Sequence, residues 1–130
     1  MARLHVVALS AKLPGWAEQA CADYVKRMPR GYEVERLNVK RVALPKNAYV
    51  VVLDERGKDL TTEQFARLLQ RETAFVIGGA DGLDEKIKHQ AALLLRLSAL
   101  TLPHALAQVV LLEQIYRAAT ILTGHPYHRA

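Results

Sequence analysis

The chain reads as an α/β layered domain with a mainly parallel sheet. Three observations predict that class. Apolar runs of strand length alternate with amphipathic segments of helical spacing, the order that βα units require. The run Tyr49-Val50-Val51-Val52-Leu53 is apolar on both faces, which suits a central strand covered on both sides. At 130 residues, 51% of them hydrophobic, the chain is large enough for one proper core and too small for two, so residues 1–130 are expected to form a single domain.

Arg3 to Leu9 is an apolar run of strand length, broken by Leu13-Pro14-Gly15. Trp16, Ala20, Cys21, Tyr24, Val25 and Met28 then recur at helical spacing until Pro29-Arg30-Gly31 ends the helix. Tyr32 to Val39 partly alternates, with Glu33, Glu35 and Asn38 on its wetter side, and predicts a second strand. Tyr49 to Leu53 is the third, followed by an expected polar loop, Asp54 to Lys58. Thr61 with Gln64 makes a capping box for a helix carrying Phe65, Leu68 and Leu69. Thr73 to Ile77 is a strand stopped by Gly78 and Gly79. Asp84 caps a helix with Ile87, Ala91, Leu94 and Leu95 on one face, and Leu97 to Leu100 is expected as the last strand. Pro103 suits the first turn of a long final helix, and Gly124 suits its left-handed stop.

Composition narrows the function. Charged residues make up 24%, ordinary for a soluble protein, and a net charge of +5 favours polyanionic partners, because neutralising phosphates releases counterions. No apolar run of membrane-helix length stands out, so no membrane association is expected. The N-terminus lacks a long apolar core of the signal-peptide kind, and the single Cys21 excludes an internal disulfide. Both point to a cytoplasmic protein, with Cys21 packed in a helix face.

Candidate sites gather at strand ends and at the C-terminus. In a parallel sheet, ligands collect at the carboxyl ends of strands, where loops present unpaired backbone groups. Leu53-Asp54, the turn Gly78-Gly79-x-x-Gly82, and Leu97-Ser98-Ala99-Leu100-Thr101-Leu102 are three such ends. Glycine lets the backbone approach a ligand, and leucines with Ser and Thr supply walls and hydrogen bonds for an adenine. Taken singly, the leucines are core and the glycines a tight turn; their convergence raises the ligand reading. The glycine turn follows the fourth strand, where a Rossmann enzyme has it after the first, so that alternative is weak. The tail His125-Pro126-Tyr127-His128-Arg129 is the part least explicable as core. Arginine binds phosphate or stacks on a base, Tyr and His stack on unpaired bases, and His moves protons near neutral pH. His125 and His128 have no third ligand or cysteine cluster nearby, so no metal site is expected. His104, after Pro103 at a helix start, reads as a packing residue or the holder of an N-terminal hydrogen bond, and His5 as structural. A nucleotide-like pocket beside a cationic aromatic tail points to group transfer onto a nucleic acid.

The motifs carry a resemblance. The opening strand with Lys12-Leu13-Pro14-x-Trp16, then Tyr24-x-x-Arg27, Leu53-Asp54 and Ile77-Gly78-Gly79-x-x-Gly82 come first. Leu97-Ser98-x-x-Thr101-Leu102-Pro103-His104, Glu113-Gln114-x-Tyr116-Arg117-Ala118 and the tail His125 to Arg129 follow. In that order they resemble the RlmH family, ribosomal RNA large-subunit pseudouridine N3-methyltransferases of the SPOUT (α/β-knot) superfamily, over nearly the whole chain. The resemblance implies a C-terminal trefoil knot and a homodimer, with the site near the subunit boundary and one subunit's tail completing it. It implies S-adenosylmethionine held against Leu53, Gly78 and the loop Leu97 to Leu102 (Leu97, Ser98, Ala99, Leu100, Thr101, Leu102). The implied substrate is a pseudouridine of large-subunit ribosomal RNA, presented by the assembled ribosome. His128 or His125 would take the proton of the base nitrogen, Arg129 would stabilise the resulting anion, and Tyr127 would stack on the base. Another RNA substrate such as transfer RNA, or a non-catalytic RNA-binding module, are the alternatives. One departure stands out: the family has a basic, helix-bearing stretch where this chain has only Lys40 to Ala48, short for a parallel crossover, although Lys40, Arg41 and Lys46 remain.

Overall fold

The computed structural model describes residues 3–9, 12–79 and 83–128. Five strands form one all-parallel sheet in the order β2-β1-β4-β3-β5. The strands are β1 (Leu4–Leu9), β2 (Val34–Val39), β3 (Tyr49–Lys58), β4 (Thr73–Ile77) and β5 (Leu93–Leu95). The helices are α1 (Gly15–Arg27), α2 (Thr62–Leu68), α3 (Glu85–His89) and α4 (His104–Thr123). The α/β class with a mainly parallel sheet is what the alternating pattern predicts.

Alternation along the inner strands sends successive side chains to opposite layers. Leu4, Val6, Val51 and Phe75 enter the larger core with Phe65 of α2 and Leu111, Leu112 and Ile115 of α4. Val7, Val50, Val52 and Val76 face the other side, under Ile87 of α3. Cys21 lies fully buried in the larger core, as its helix face suggests. His5, also buried, has its two ring nitrogens 3.1 Å from Glu35 and 2.9 Å from Glu72.

The Lys40-to-Ala48 connection spans the sheet without a helix. β1 and β4 lie between β2 and β3, so the connection crosses a sheet face. Its Val42 and Leu44 pack on Val7, Val50, Val52 and Val76, covering that face with chain that is neither helix nor strand.

Four local expectations change. The last strand is Leu93–Leu95, not Leu97 to Leu100, because hydrogen bonds from Ala92 N–H to Val50 and from Arg96 N–H to Lys58 align that segment with the β3 edge. Leu94 and Leu95 therefore leave the helical face for the sheet, and α3 stops at His89. Asp54 to Lys58 belongs to β3 rather than to a loop, with a register shift in which Leu53 and Lys58 both pair with Leu95. Pro103 precedes the first turn of α4 as its N-cap. Gly124 ends α4 with φ +76°, the left-handed stop foreseen. At 20 residues and a mean hydropathy of 1.3, α4 is long and apolar enough to cross a membrane, which a search for unbroken apolar runs overlooks. Here its apolar side belongs to the core.

Candidate functional site

A cleft of about 440 Å³ opens at the carboxyl end of β4, where β3 parts from it. Its floor is Leu53, Ile77 and Gly78, just beyond the last β3–β4 pair, Val52 with Val76. Its wall is the segment between β5 and α4, contributing Leu97, Ser98, Leu100, Thr101 and Leu102. That segment is open chain because β5 has already ended, and the Ser98 hydroxyl braces it by accepting the Leu100 N–H at 2.9 Å. Leu100 is left 78% exposed, an apolar side chain at the cleft mouth with little of its own chain to cover it.

Seven of the eight residues expected to bind a cofactor thus line one cleft. Ala99 instead faces an adjoining depression lined by Arg56 and Arg96. Gly82, the third glycine of the turn, lies outside the described residues.

The cleft also holds polar groups: Asp54, which the sequence places at a candidate strand end, and Glu55, Lys88 and His104, which sequence reasoning did not assign to it. Asp54 accepts the Arg56 N–H at 2.8 Å and lies 3.1 Å from the Lys88 ammonium. The Arg56 amide, with Lys88 behind it, holds the Asp54 carboxyl below its ordinary range despite the opposing effect of burial. His104, read from sequence as a packing residue, opens α4 at the cleft, and its buried Nε2 has no hydrogen-bond partner among the described residues. Asp54 carried a signal, as a carboxylate ending an apolar strand; Lys88 carried none, because only the fold brings α3 beside β3.

The C-terminal tail lies elsewhere. α4 is about 30 Å long at 1.5 Å per residue. After Gly124 the chain turns back, with His125 N–H bonded to the Thr120 carbonyl at 2.9 Å. Tyr127 is fastened at both ends of its side chain. Its hydroxyl donates to Glu113 at 2.8 Å, and its ring meets Tyr116 edge-on at 4.6 Å under the Arg117 guanidinium at 4.9 Å. Arg117 closes the group by bonding Glu113 at 2.7 Å, while Gln114 reaches Thr62 of α2 at 3.0 Å. His128 Nε2 faces Glu63 of α2 at 3.5 Å, and its buried Nδ1 has no partner among the described residues. His125 is exposed apart from Nδ1, which accepts the Tyr127 N–H at 3.2 Å. Arg129 lies outside the described residues. None of His125, Tyr127 and His128 lines the cleft of its own chain. Among the described residues no group of three or more His, Cys, Asp or Glu is placed to hold a metal ion.

Such an arrangement can bind a small molecule at the strand ends, and it presents a separate aromatic tail with two imidazoles. The sequence model of a family described as "Predicted SPOUT methyltransferase" matches residues 2–128. The chain is 47% identical to a Burkholderia thailandensis protein named "Ribosomal RNA large subunit methyltransferase H", an alignment covering 98% of this chain and 99% of that one. A Burkholderia mallei protein of the same name is 46% identical over the same shares. Those alignments run to 155 positions against 130 residues here, so at least 25 positions have no counterpart in this chain. Among solved structures, a probable methylase family protein from Haemophilus influenzae Rd KW20 superposes with a TM-score of 0.62 at 12% identity, covering 99% of this chain and 70% of that one, a likeness of fold.

Proposed function

This chain belongs to the SPOUT methyltransferase family, and from that premise we propose that it methylates N3 of a pseudouridine in large-subunit ribosomal RNA, using S-adenosylmethionine. One observation carries the reading. Seven residues scattered between positions 53 and 102, which the family resemblance implies as donor-binding, meet in one cleft in a chain 47% identical to a protein named as a ribosomal RNA methyltransferase.

The cleft fits the donor. Its volume is within the roughly 300–1,000 Å³ of small-molecule sites. Leucine side chains offer apolar walls for an adenine, the open backbone from Leu97 to Leu102 offers hydrogen bonds, and the orphan His104 Nε2 calls for a polar partner. S-adenosylmethionine, when bound, supplies a methyl group activated by its sulfonium. Leu53 and the Leu97-to-Leu102 segment hold and shield the reacting end from water, and Gly78 allows close backbone approach.

The imide nitrogen of the base must lose a proton as it is methylated. His128 is the proposed acceptor of that proton, its ring held by Glu63 of α2, 3.5 Å from Nε2. Arg129 balances the charge that develops on the base, and His125 is the alternative proton acceptor. Tyr127, with hydroxyl and ring both engaged, holds the tail in place rather than titrating. Because the tail lies apart from its own cleft, the complete site requires a homodimer in which one subunit's tail covers the other's cleft. A C-terminal trefoil knot around the donor, presentation of the base by the assembled ribosome in the cytoplasm, and RNA contacts from exposed Lys40, Arg41 and Lys46 complete the proposal.

Incubation with methyl-labelled donor and ribosomes, free ribosomal RNA or transfer RNA, followed by mapping of the labelled base, tests it. Label confined to a large-subunit pseudouridine is expected; label on transfer RNA alone would overturn the substrate assignment. His128→Ala and Arg129→Ala are each expected to slow methylation at least about a hundredfold, the usual scale for losing a proton-transfer group. Donor affinity should stay within about twofold, and its loss would mean these tail roles are wrong.

A further inference from the structure

The cleft wall contains an ion pair whose chemistry goes beyond holding an adenosine. Asp54 ends the apolar stretch of β3, and its side chain is only 9% exposed. One carboxylate oxygen accepts the Arg56 N–H, and the other faces the Lys88 ammonium. Lys88, on α3, keeps 28% of its side chain exposed; its second acidic neighbour, Glu85, is 3.9 Å away and 78% exposed. A carboxylate has about four acceptor positions and an ammonium three donors, so each charge retains unused hydrogen-bonding capacity. An exposed ion pair contributes little to stability, and a withdrawn one loses solvation. A cleft wall is therefore a poor place for such a pair unless a ligand uses both charges.

We propose that the Asp54–Lys88 pair is the docking point for the zwitterionic amino-acid end of the methyl donor, Lys88 receiving its carboxylate and Asp54 its ammonium. The inference rests on the donor reading given above and extends it to the selection of that donor. A ligand zwitterion laid head-to-tail on the pair places each charge against its opposite, so both pairs become charge-assisted hydrogen bonds in a partly dry site. The remaining cleft lining, largely leucine and backbone, fits the uncharged adenosine portion and is indifferent to whether an amino-acid end is attached. The pair thus gives the cleft a preference for S-adenosylmethionine and S-adenosylhomocysteine over a nucleoside without that end, such as 5′-methylthioadenosine.

The test is calorimetric binding of these three compounds to the full chain and to Lys88→Met, Lys88→Arg and Asp54→Asn, each checked for folding by thermal melting. Lys88 stands on a short helix and is partly exposed, so its variants are expected to fold. Lys88→Met should weaken S-adenosylhomocysteine and S-adenosylmethionine about ten- to a hundredfold, the scale of one charge-assisted contact, while 5′-methylthioadenosine changes less than about twofold. Lys88→Arg should keep most of the preference, and Asp54→Asn should lose it. If Lys88→Met shifts all three compounds equally, or none, the pair is only a tie between α3 and β3 and the inference is wrong. If the unaltered protein binds neither sulfonium donor nor thioether product, the methyltransferase reading fails with it, a result distinct from lost selectivity.

Discussion

Tyr127 donates its hydroxyl hydrogen to Glu113, and the same carboxylate accepts the Arg117 guanidinium that lies over the Tyr127 ring. Burial first, and the Glu113 carboxylate second, push the phenol's pKa up to about 12. The folded chain then keeps this proton at pH values where the unfolded chain releases it. Stability from the contact is therefore complete below about pH 10 and declines as pH rises toward 12. Melting temperature measured across that range should fall more steeply for the unaltered protein than for Tyr127→Phe, which has no proton to lose there. Parallel curves would show that the hydroxyl does not fasten the tail. His104 and His128 make the contrasting case: each has a buried ring nitrogen with no partner among the described residues, and each stands at one of the two candidate binding regions.

At the scale of elements, the junction of β3 and β5 shapes the cleft. β3 continues past Leu53 to Lys58, and both residues pair with Leu95, so the strand between them bulges beside the cleft. Gly57 sits in that bulge, and a Cβ there would lie 2.7 Å from the backbone of Leu94 and Leu95. Backbone cannot rotate aside as a side chain can, so Gly57→Ala is expected to cost about 1–3 kcal/mol, the usual range for overpacking. A fall of several degrees in Tm, with weakened donor binding because Leu53 and Asp54 shift with the strand, is the expected result. Unchanged melting and binding would mean the β3 edge is looser than described. The capping box at α2, in contrast, forms as its sequence demands, Thr61 and Gln64 bonding each other's backbone at 3.1 and 2.9 Å.

At the scale of the molecule, the cleft lies where α4 begins and the tail lies back along its second half, Glu113 being about 14 Å down the helix axis from His104. On the proposed reading, a site that uses both regions draws on two subunits. A cleft variant such as Gly78→Val and a tail variant such as His128→Ala should each be nearly inactive alone. Refolded together, they should regain up to about a quarter of wild-type methylation, since random pairing places one intact cleft and one intact tail together in half of the dimers. No recovery from such a mixture would argue for a site completed within one chain. The Lys40-to-Ala48 connection belongs to this scale too: it covers one sheet face with Val42 and Leu44, at the place where the resembled family carries a helix-bearing stretch that this chain lacks.

Much of this architecture was legible in the sequence because it depends on neighbours. Alternating runs predict parallel strands and helices, Thr61 and Asp84 mark helix starts, and Gly124 marks the end of α4 with its positive φ. The motif residues Leu53, Gly78 and Leu97 to Leu102 were legible through resemblance, and all but Ala99 line the cleft. What only the tertiary structure decided depends on partners distant in the chain. Leu93 to Leu95 became the strand, and Leu97 to Leu100 an open wall, because backbone hydrogen bonds to β3 select one stretch from an almost continuous run of leucines. Lys88 met Asp54, and Tyr127 met Glu113, only once the sheet and α4 were in place. Local pattern sets which conformations a segment favours, whereas long-range pairing chooses among them and brings charges together, and that choice is not written in any one stretch of residues.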